Sequence, residues 1–188
     1  MFTLSRYNAV IVAIVLSVAM WATRGHHTAS LTHLPDVSWA IFFALGFYLR
    51  ERLLLPLFLA QAALIDFLAI TQFGVDSYCV TPAYAFLLPA YAALWLAGRW
   101  YAAHYRFEMR SLGLFAASAF LGTLSCELLS SGSFYFLGER SAVTSLAGFG
   151  QRLMQYFPSD LANVALYLGV AAVVHILFAA MQRPAATA

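Results

Sequence analysis

Long apolar runs separated by short polar clusters dominate this sequence. Six runs can be drawn, at approximately 7–23, 37–50, 53–72, 80–98, 111–131 and 159–181. A helix needs about 20 apolar residues to cross the hydrocarbon core of a bilayer. The second run is short, so we expect it to start earlier or to let the arginines at its end reach the interface. The pattern predicts an all-α integral membrane protein, built as a bundle of six transmembrane helices.

Composition supports a membrane protein. The chain has 188 residues, of which 63% are hydrophobic and 10% are charged, whereas soluble domains have about 25% charged residues. The net charge is only +2, which argues against nucleic-acid binding. The six runs leave no room for a soluble domain, so we expect one membrane domain over residues 1–188.

The largest gap between the runs is 132–158. Within it, residues 143–154 have apolar positions at near-helical spacing. They predict either a short interfacial helix that ends before Pro158 or a plain surface connector. The first run, after Arg6, resembles a signal peptide. We interpret it as a retained first helix because further runs follow.

The arginines predict the orientation of the bundle. All ten basic residues are Arg. The arginines of one side are Arg6, Arg50, Arg52, Arg99, Arg106, Arg110 and Arg183, and those of the other are Arg24, Arg140 and Arg152. The positive-inside rule then places both termini in the cytoplasm.

This orientation gathers the polar candidates on the outer face. They are His26, His27, His33, Asp76, Tyr78, Cys79 and Arg152. Asp66 is expected about 9 Å below the outer end of the third run, and Tyr84 about 7.5 Å into the fourth. The same region therefore offers a thiol, carboxylates, imidazoles and a guanidinium to a ligand.

Cys79 precedes a helix, where the helix dipole and free amides favour thiolate. A thiolate is a natural ligand for a soft metal. Two alternatives stand beside this interpretation: the thiol packs as a small apolar group, or it forms a disulfide with Cys126. His26 and His27 are either second metal ligands or merely solvated loop residues.

Asp66 lies among Leu64, Ile65, Phe67 and Leu68. A carboxylate there is costly in a bilayer and must face a partner or a cavity. It is either the wall of a binding site, with Arg152 or Tyr84 as its partner, or half of an ion pair that ties two helices together. Arg152 itself is either an interface anchor or a lid residue that reaches a polar ligand.

Six short spans, the Ala9–Ala13 segment and a ligand-like outer cavity resemble the substrate-binding S-components of energy-coupling-factor (ECF) vitamin transporters. Within that group, Asp66, Val75–Tyr84 with Cys79, and Arg152 resemble the BtuM-type cobalamin transporters. The resemblance implies an S-component-like fold in the bacterial inner membrane. It implies cobalamin, or another corrinoid, as the substrate, and no other cofactor is expected.

The resemblance also implies roles for single residues. Cys79 would ligate cobalt from the lower axial side and displace the dimethylbenzimidazole base. Asp66, Tyr84 and Arg152 would surround the corrin, and we add Tyr78 and His27 to the expected ligand-binding set. Since thiolate weakens the bond trans to it, Cys79 is also expected to remove cyanide from cyanocobalamin.

The small residues Ala9 and Ala13 would face an ECF energising module, as such stripes allow close helix approach. No GxxxxGK[ST] motif is present, so the energy must come from elsewhere. Two rival functions remain open. A membrane thiol oxidoreductase would want a CxxC pair, which is absent. In a structural membrane protein, the polar cluster would only lock helices together.

Overall fold

The computed structural model describes residues 4–24, 34–49, 51–74, 81–138 and 144–181. Helices take up 88% of these residues, and no strand occurs among them. The helices are α1 (Arg6–Arg24), α2 (Ser38–Tyr48), α3 (Leu54–Phe73), a 3₁₀-helix (Pro82–Phe86), α4 (Leu87–His104), α5 (Met109–Leu137) and α6 (Leu146–Met181). The all-α prediction is confirmed.

Four of these helices, α1, α3, α5 and α6, are long and apolar enough to cross a membrane. Their outward faces carry large exposed apolar side chains, for example Val10, Phe67, Leu121 and Val170. Water would disfavour such faces, whereas lipid would cover them. The described part of the chain is therefore all-helical, and four of its helices could span a membrane by length and composition.

The remaining runs form shorter helices than the pattern predicted. α2 has 11 residues, or about 16 Å at 1.5 Å per residue, against about 30 Å of hydrocarbon. Leu49 after it is extended. α4 begins only at Leu87, because Pro82 opens a separate 3₁₀-helix before it.

α2 forms the centre of the bundle. Every residue from Ala40 to Phe47 is buried, and so is Ser38. A helix that is apolar on all sides is stable only when neighbours surround it. α2 crosses α4 at very short range, since Gly46 lies against the Trp95 carbonyl and Gly98 against the Phe43 carbonyl.

The predicted separate interfacial helix is not separate. Residues 146–154 are the first turns of α6, which runs through Pro158 to Met181. A proline inside a helix removes one backbone hydrogen bond, but membrane helices tolerate such breaks when nearby groups compensate. The expected helix end before Pro158 is therefore wrong.

The small-residue stripe of α1 faces the interior of the chain. Ala9 and Ala13 are partly buried against the core. One turn further, Ser17 Oγ donates a hydrogen bond to Gln61 Oε1 at 3.0 Å, and Gln61 Nε2 donates to the Ser17 carbonyl at 2.9 Å. These small side chains let α1 pack closely against its neighbours within the same chain.

Candidate functional site

A buried arginine organises one end of the bundle. Arg24 is the last residue of α1 and is only 6% exposed. Its Nε and Nη2 donate to the two carboxylate oxygens of Asp66 at 2.8 and 2.7 Å. This two-pronged geometry is the strongest form of arginine–carboxylate pairing. Arg24 thereby joins the end of α1 to the middle of α3.

The other side of the Arg24 guanidinium reaches α2 and α4. Its Nη1 donates to the Tyr91 hydroxyl at 2.8 Å and to Ser38 Oγ at 3.0 Å. Asp36 adds a looser ion pair at 3.5 Å. A buried guanidinium needs such a set of acceptors, because each unpaired donor would cost free energy.

Asp66 has a second donor in Tyr84. The Tyr84 hydroxyl, on the 3₁₀-helix, donates to Asp66 Oδ2 at 2.6 Å. Of the two partners expected for Asp66, Tyr84 therefore contacts it. The cation that pairs with Asp66 is Arg24 and not Arg152. The carboxylate is thus held by α1 and by the 3₁₀-helix at once.

These residues line a cavity of about 430 Å³, which we call the polar cavity. Part of its lining belongs to the network just described, and α5 and α6 supply most of the rest. Its polar and charged lining residues are Arg24, Asp36, Asp66, Tyr84, Tyr91, Glu127, Ser130, Ser131, Arg152, Tyr156 and Asp160. The structure therefore brings Asp66, Tyr84 and Arg152 to one cavity, although they lie on three different elements.

Arg152 is the cation of this cavity that is available to a ligand. Its guanidinium lies over the rings of Tyr135 and Tyr156, at 5.6 and 5.9 Å from their centres. Among the residues that the structure describes, it forms no ion pair. Rings hold an arginine in place while leaving its N–H groups free for carboxylate, phosphate or amide oxygens.

Two acids of the cavity wall also lack an arginine partner within the described part of the chain. Glu127 on α5 is 2% exposed, and Asp160 on α6 is partly buried. Such carboxyl groups can accept hydrogen bonds from amide N–H groups of a bound molecule, or donate one when protonated. The cavity thus offers both a cation and carboxyl groups to a bound molecule.

Comparison with models of known protein families gave no match, and comparison with curated proteins gave none either.

Several predicted site residues lie outside the described residues. They are Tyr78, Cys79 and His27, together with His26, His33 and Asp76. Cys126 is described: it is a buried free thiol on α5. In the described ranges, no group of three or more His, Cys, Asp or Glu side chains could hold a metal ion.

Sequence reasoning missed the role of Arg24. An arginine at the end of an apolar run is expected to reach the interface. The available signal was Asp66: a carboxylate within an apolar run requires a cation. That signal calls for a cation near Asp66 but does not select Arg24, which lies 42 positions away along the chain.

Proposed function

We propose that this chain is a membrane transporter that binds cobalamin from the outer side and moves it into the cytoplasm. The observation that carries the proposal is the convergence of Asp66, Tyr84 and Arg152 on one polar cavity. These are the described residues that the resemblance to BtuM-type transporters implies for the corrin site. We further propose six spans from the apolar runs, cytoplasmic termini from the distribution of arginines, and a bacterial inner membrane from the resemblance.

The chemistry of the cavity suits a corrinoid. A corrin is a broad apolar disc with amide groups around its edge, and such a ligand needs an apolar surface with a few well-placed donors and acceptors. Arg152 supplies N–H donors, while Glu127 and Asp160 supply acceptors for amide N–H groups. A corrinoid is larger than about 430 Å³, so the described residues would hold only part of its edge.

The proposed metal ligand lies, in the sequence, between two elements that line this cavity. Residues 75–80 follow α3 in the sequence and come shortly before the 3₁₀-helix that contains Tyr84. We propose that Cys79 binds cobalt as a thiolate at the lower axial position, with the nucleotide base displaced. Soft thiolate is a strong donor to such a metal.

Removal of cyanide would follow from the same bond. Sulfur donates electron density to cobalt and weakens the cobalt–cyanide bond on the opposite face. That bond breaks with both electrons leaving on cyanide, so cobalt keeps its oxidation state. The proposed decyanation therefore needs no external reductant, and it would be a chemical step coupled to binding.

Binding measurements test the proposal. Titration calorimetry on the purified protein would compare cobalamin with cobinamide, which lacks the lower base. We expect wild type to bind both, with cobinamide at least as tight. Cys79→Ala and Arg152→Gln should each weaken binding, whereas Arg52→Gln, an exposed arginine outside the cavity, should not.

The outcome separates the rival functions. Absence of binding by folded wild type would contradict the proposal and favour a structural role, in which the Arg24–Asp66 pair only ties helices together. Turnover of thiol substrates without corrinoid binding would instead favour a thiol oxidoreductase. Contact of an energising module with the part of the Ala9 and Ala13 face that the core leaves exposed stays a prediction, to be tested by co-purification.

A further inference from the structure

A second cavity, which we call the aromatic chamber, lies at the other end of the bundle. It measures about 410 Å³, within the usual size range of small-molecule sites, about 300–1,000 Å³. On α5, Ser111 lines this chamber and Ser130 lines the polar cavity, a separation of about 28 Å along the helix. The chamber is therefore independent of the site proposed for cobalamin.

The chamber presents rings and aliphatic groups. Its lining includes Phe43, Phe47, Tyr48, Tyr101, Tyr105 and Phe115. Two of the tyrosine hydroxyls are engaged within the wall: Tyr105 pairs with His175 Nε2 at 2.8 Å, and Tyr101 with Ser111 Oγ at 3.3 Å. Since these polar groups already have partners, the chamber suits an apolar group that makes no demand for hydrogen bonds.

A basic pocket of about 490 Å³ adjoins the chamber. The two cavities share the wall residues Tyr105, Arg106, Glu108 and Ser111, and the basic pocket adds His104 and Arg110. Arg106 and Arg110 are exposed, and neither forms an ion pair within the described residues. Two arginines against Glu108 leave a positive charge at the mouth of the chamber.

We propose that these joined cavities bind an anionic phospholipid, with its phosphate at Arg106 and Arg110 and one acyl chain in the aromatic chamber. A soluble anion would use the basic pocket alone, and a neutral apolar molecule would use the chamber alone. An amphipathic anion uses both. Basic pockets between membrane helices are known to hold the head groups of anionic lipids.

The dimensions agree with this occupant. The residues that line the chamber extend from Met109 to Phe115 on α5 and from Ile176 to Leu168 on α6. These distances are about 9 and 12 Å along the helix axes. The chamber thus runs inward from the loop at 105–108, as an acyl chain would from a head group at the interface.

Native mass spectrometry on the detergent-purified chain tests the proposal. Phosphatidylglycerol and phosphatidylethanolamine would be titrated onto wild type, Arg106→Gln, Arg110→Gln and Arg52→Gln. A basic residue near an anionic lipid contributes about 1 kcal/mol, so each of the first two variants should bind phosphatidylglycerol about fivefold more weakly. Arg52→Gln, an exposed arginine that lines neither cavity, should bind as wild type does.

Two further measurements test whether an acyl chain occupies the aromatic chamber. Ala172→Phe should fill it and reduce lipid binding while leaving every charge in place, and circular dichroism would show whether that variant is folded. Glycerol phosphate, which has no acyl chain, should not displace the lipid. Phosphatidylethanolamine, with no net charge, should bind more weakly and lose less than twofold on either arginine substitution.

The proposal is overturned if Arg106→Gln and Arg110→Gln both bind phosphatidylglycerol like wild type. It is also overturned if glycerol phosphate competes as well as the lipid, or if both lipids bind equally and respond equally to the arginine substitutions. Because Arg106 and Arg110 are exposed, their replacement should leave the fold intact, so these outcomes remain decisive even if Ala172→Phe does not fold.

Discussion

Removing one charge of the Arg24–Asp66 pair should destabilise the protein strongly. Both side chains are buried, with residue exposures of 6% and 7%, and two hydrogen bonds of 2.8 and 2.7 Å join them. Breaking a buried ion pair by removing one partner costs about 3–5 kcal/mol, because the other charge stays in a site without compensation. We therefore expect that loss for Arg24→Gln and a similar one for Asp66→Asn.

The double variant should be less unstable than the sum of the single ones. Arg24→Gln together with Asp66→Asn leaves no isolated charge, and the amides can still exchange a hydrogen bond. Interaction energies between contacting residues reach about 3 kcal/mol, and we expect about 2–3 kcal/mol here. Arg24 also donates hydrogen bonds to Tyr91 and Ser38, so the double variant should not recover wild-type stability.

Unfolding in mixed micelles, by titration with a denaturing detergent and detection of tryptophan fluorescence, measures these free energies. Arg52→Gln serves as the matched control, because Arg52 is exposed and its loss should change stability by less than about 0.5 kcal/mol. Equal free energies of unfolding for Arg24→Gln and Arg52→Gln would contradict a stabilising Arg24–Asp66 pair. Strict additivity of the two single variants would refute the coupling.

Three further predictions concern single contacts. Tyr84→Phe should lower the free energy of unfolding by about 1.5–3 kcal/mol, the value of a hydrogen bond to a charged group, because the hydroxyl donates to Asp66. The same unfolding titration measures this loss. An unchanged stability would contradict the observed contact. Gly98→Ala should destabilise the protein by about 1–3 kcal/mol through overpacking against α2. Gly113→Ala should be neutral or stabilising, because nothing lies within 4 Å of its Cβ position. Equal effects of the two substitutions would contradict the close crossing of α2 and α4. A chain that keeps only Cys126 should resist maleimide labelling until it is denatured, because that thiol is buried; rapid labelling of the folded chain would disprove the packing of α5.

The sequence predicts the helices well where they are long and apolar. The runs that became α1, α3 and α5 were predicted because their length and hydropathy exceed any competing signal. α2 was harder, since its burial comes from surrounding helices and not from its own length. The continuity of α6 through Pro158 was missed because a proline usually ends a helix in water.

The candidate site shows which partners the sequence alone can identify. The helical rise predicts similar depths in the membrane for Asp66 and Tyr84, and the Tyr84 hydroxyl does contact Asp66. Arg24 was beyond reach, because its partner lies 42 positions away and only the packing of α1 on α3 joins them. The same reason hides the aromatic chamber, because its rings come from α2, α4, α5 and the loop after α4 and share no local pattern.

The visible absorption spectrum of cyanocobalamin mixed with the purified protein shows whether a thiolate of this chain binds cobalt. We expect wild type to shift the corrin bands as sulfur replaces the base and cyanide leaves, and folded Cys79→Ala to leave the spectrum of the free vitamin unchanged. Identical, unshifted spectra for both proteins would contradict the proposal that a thiolate of this chain binds cobalt.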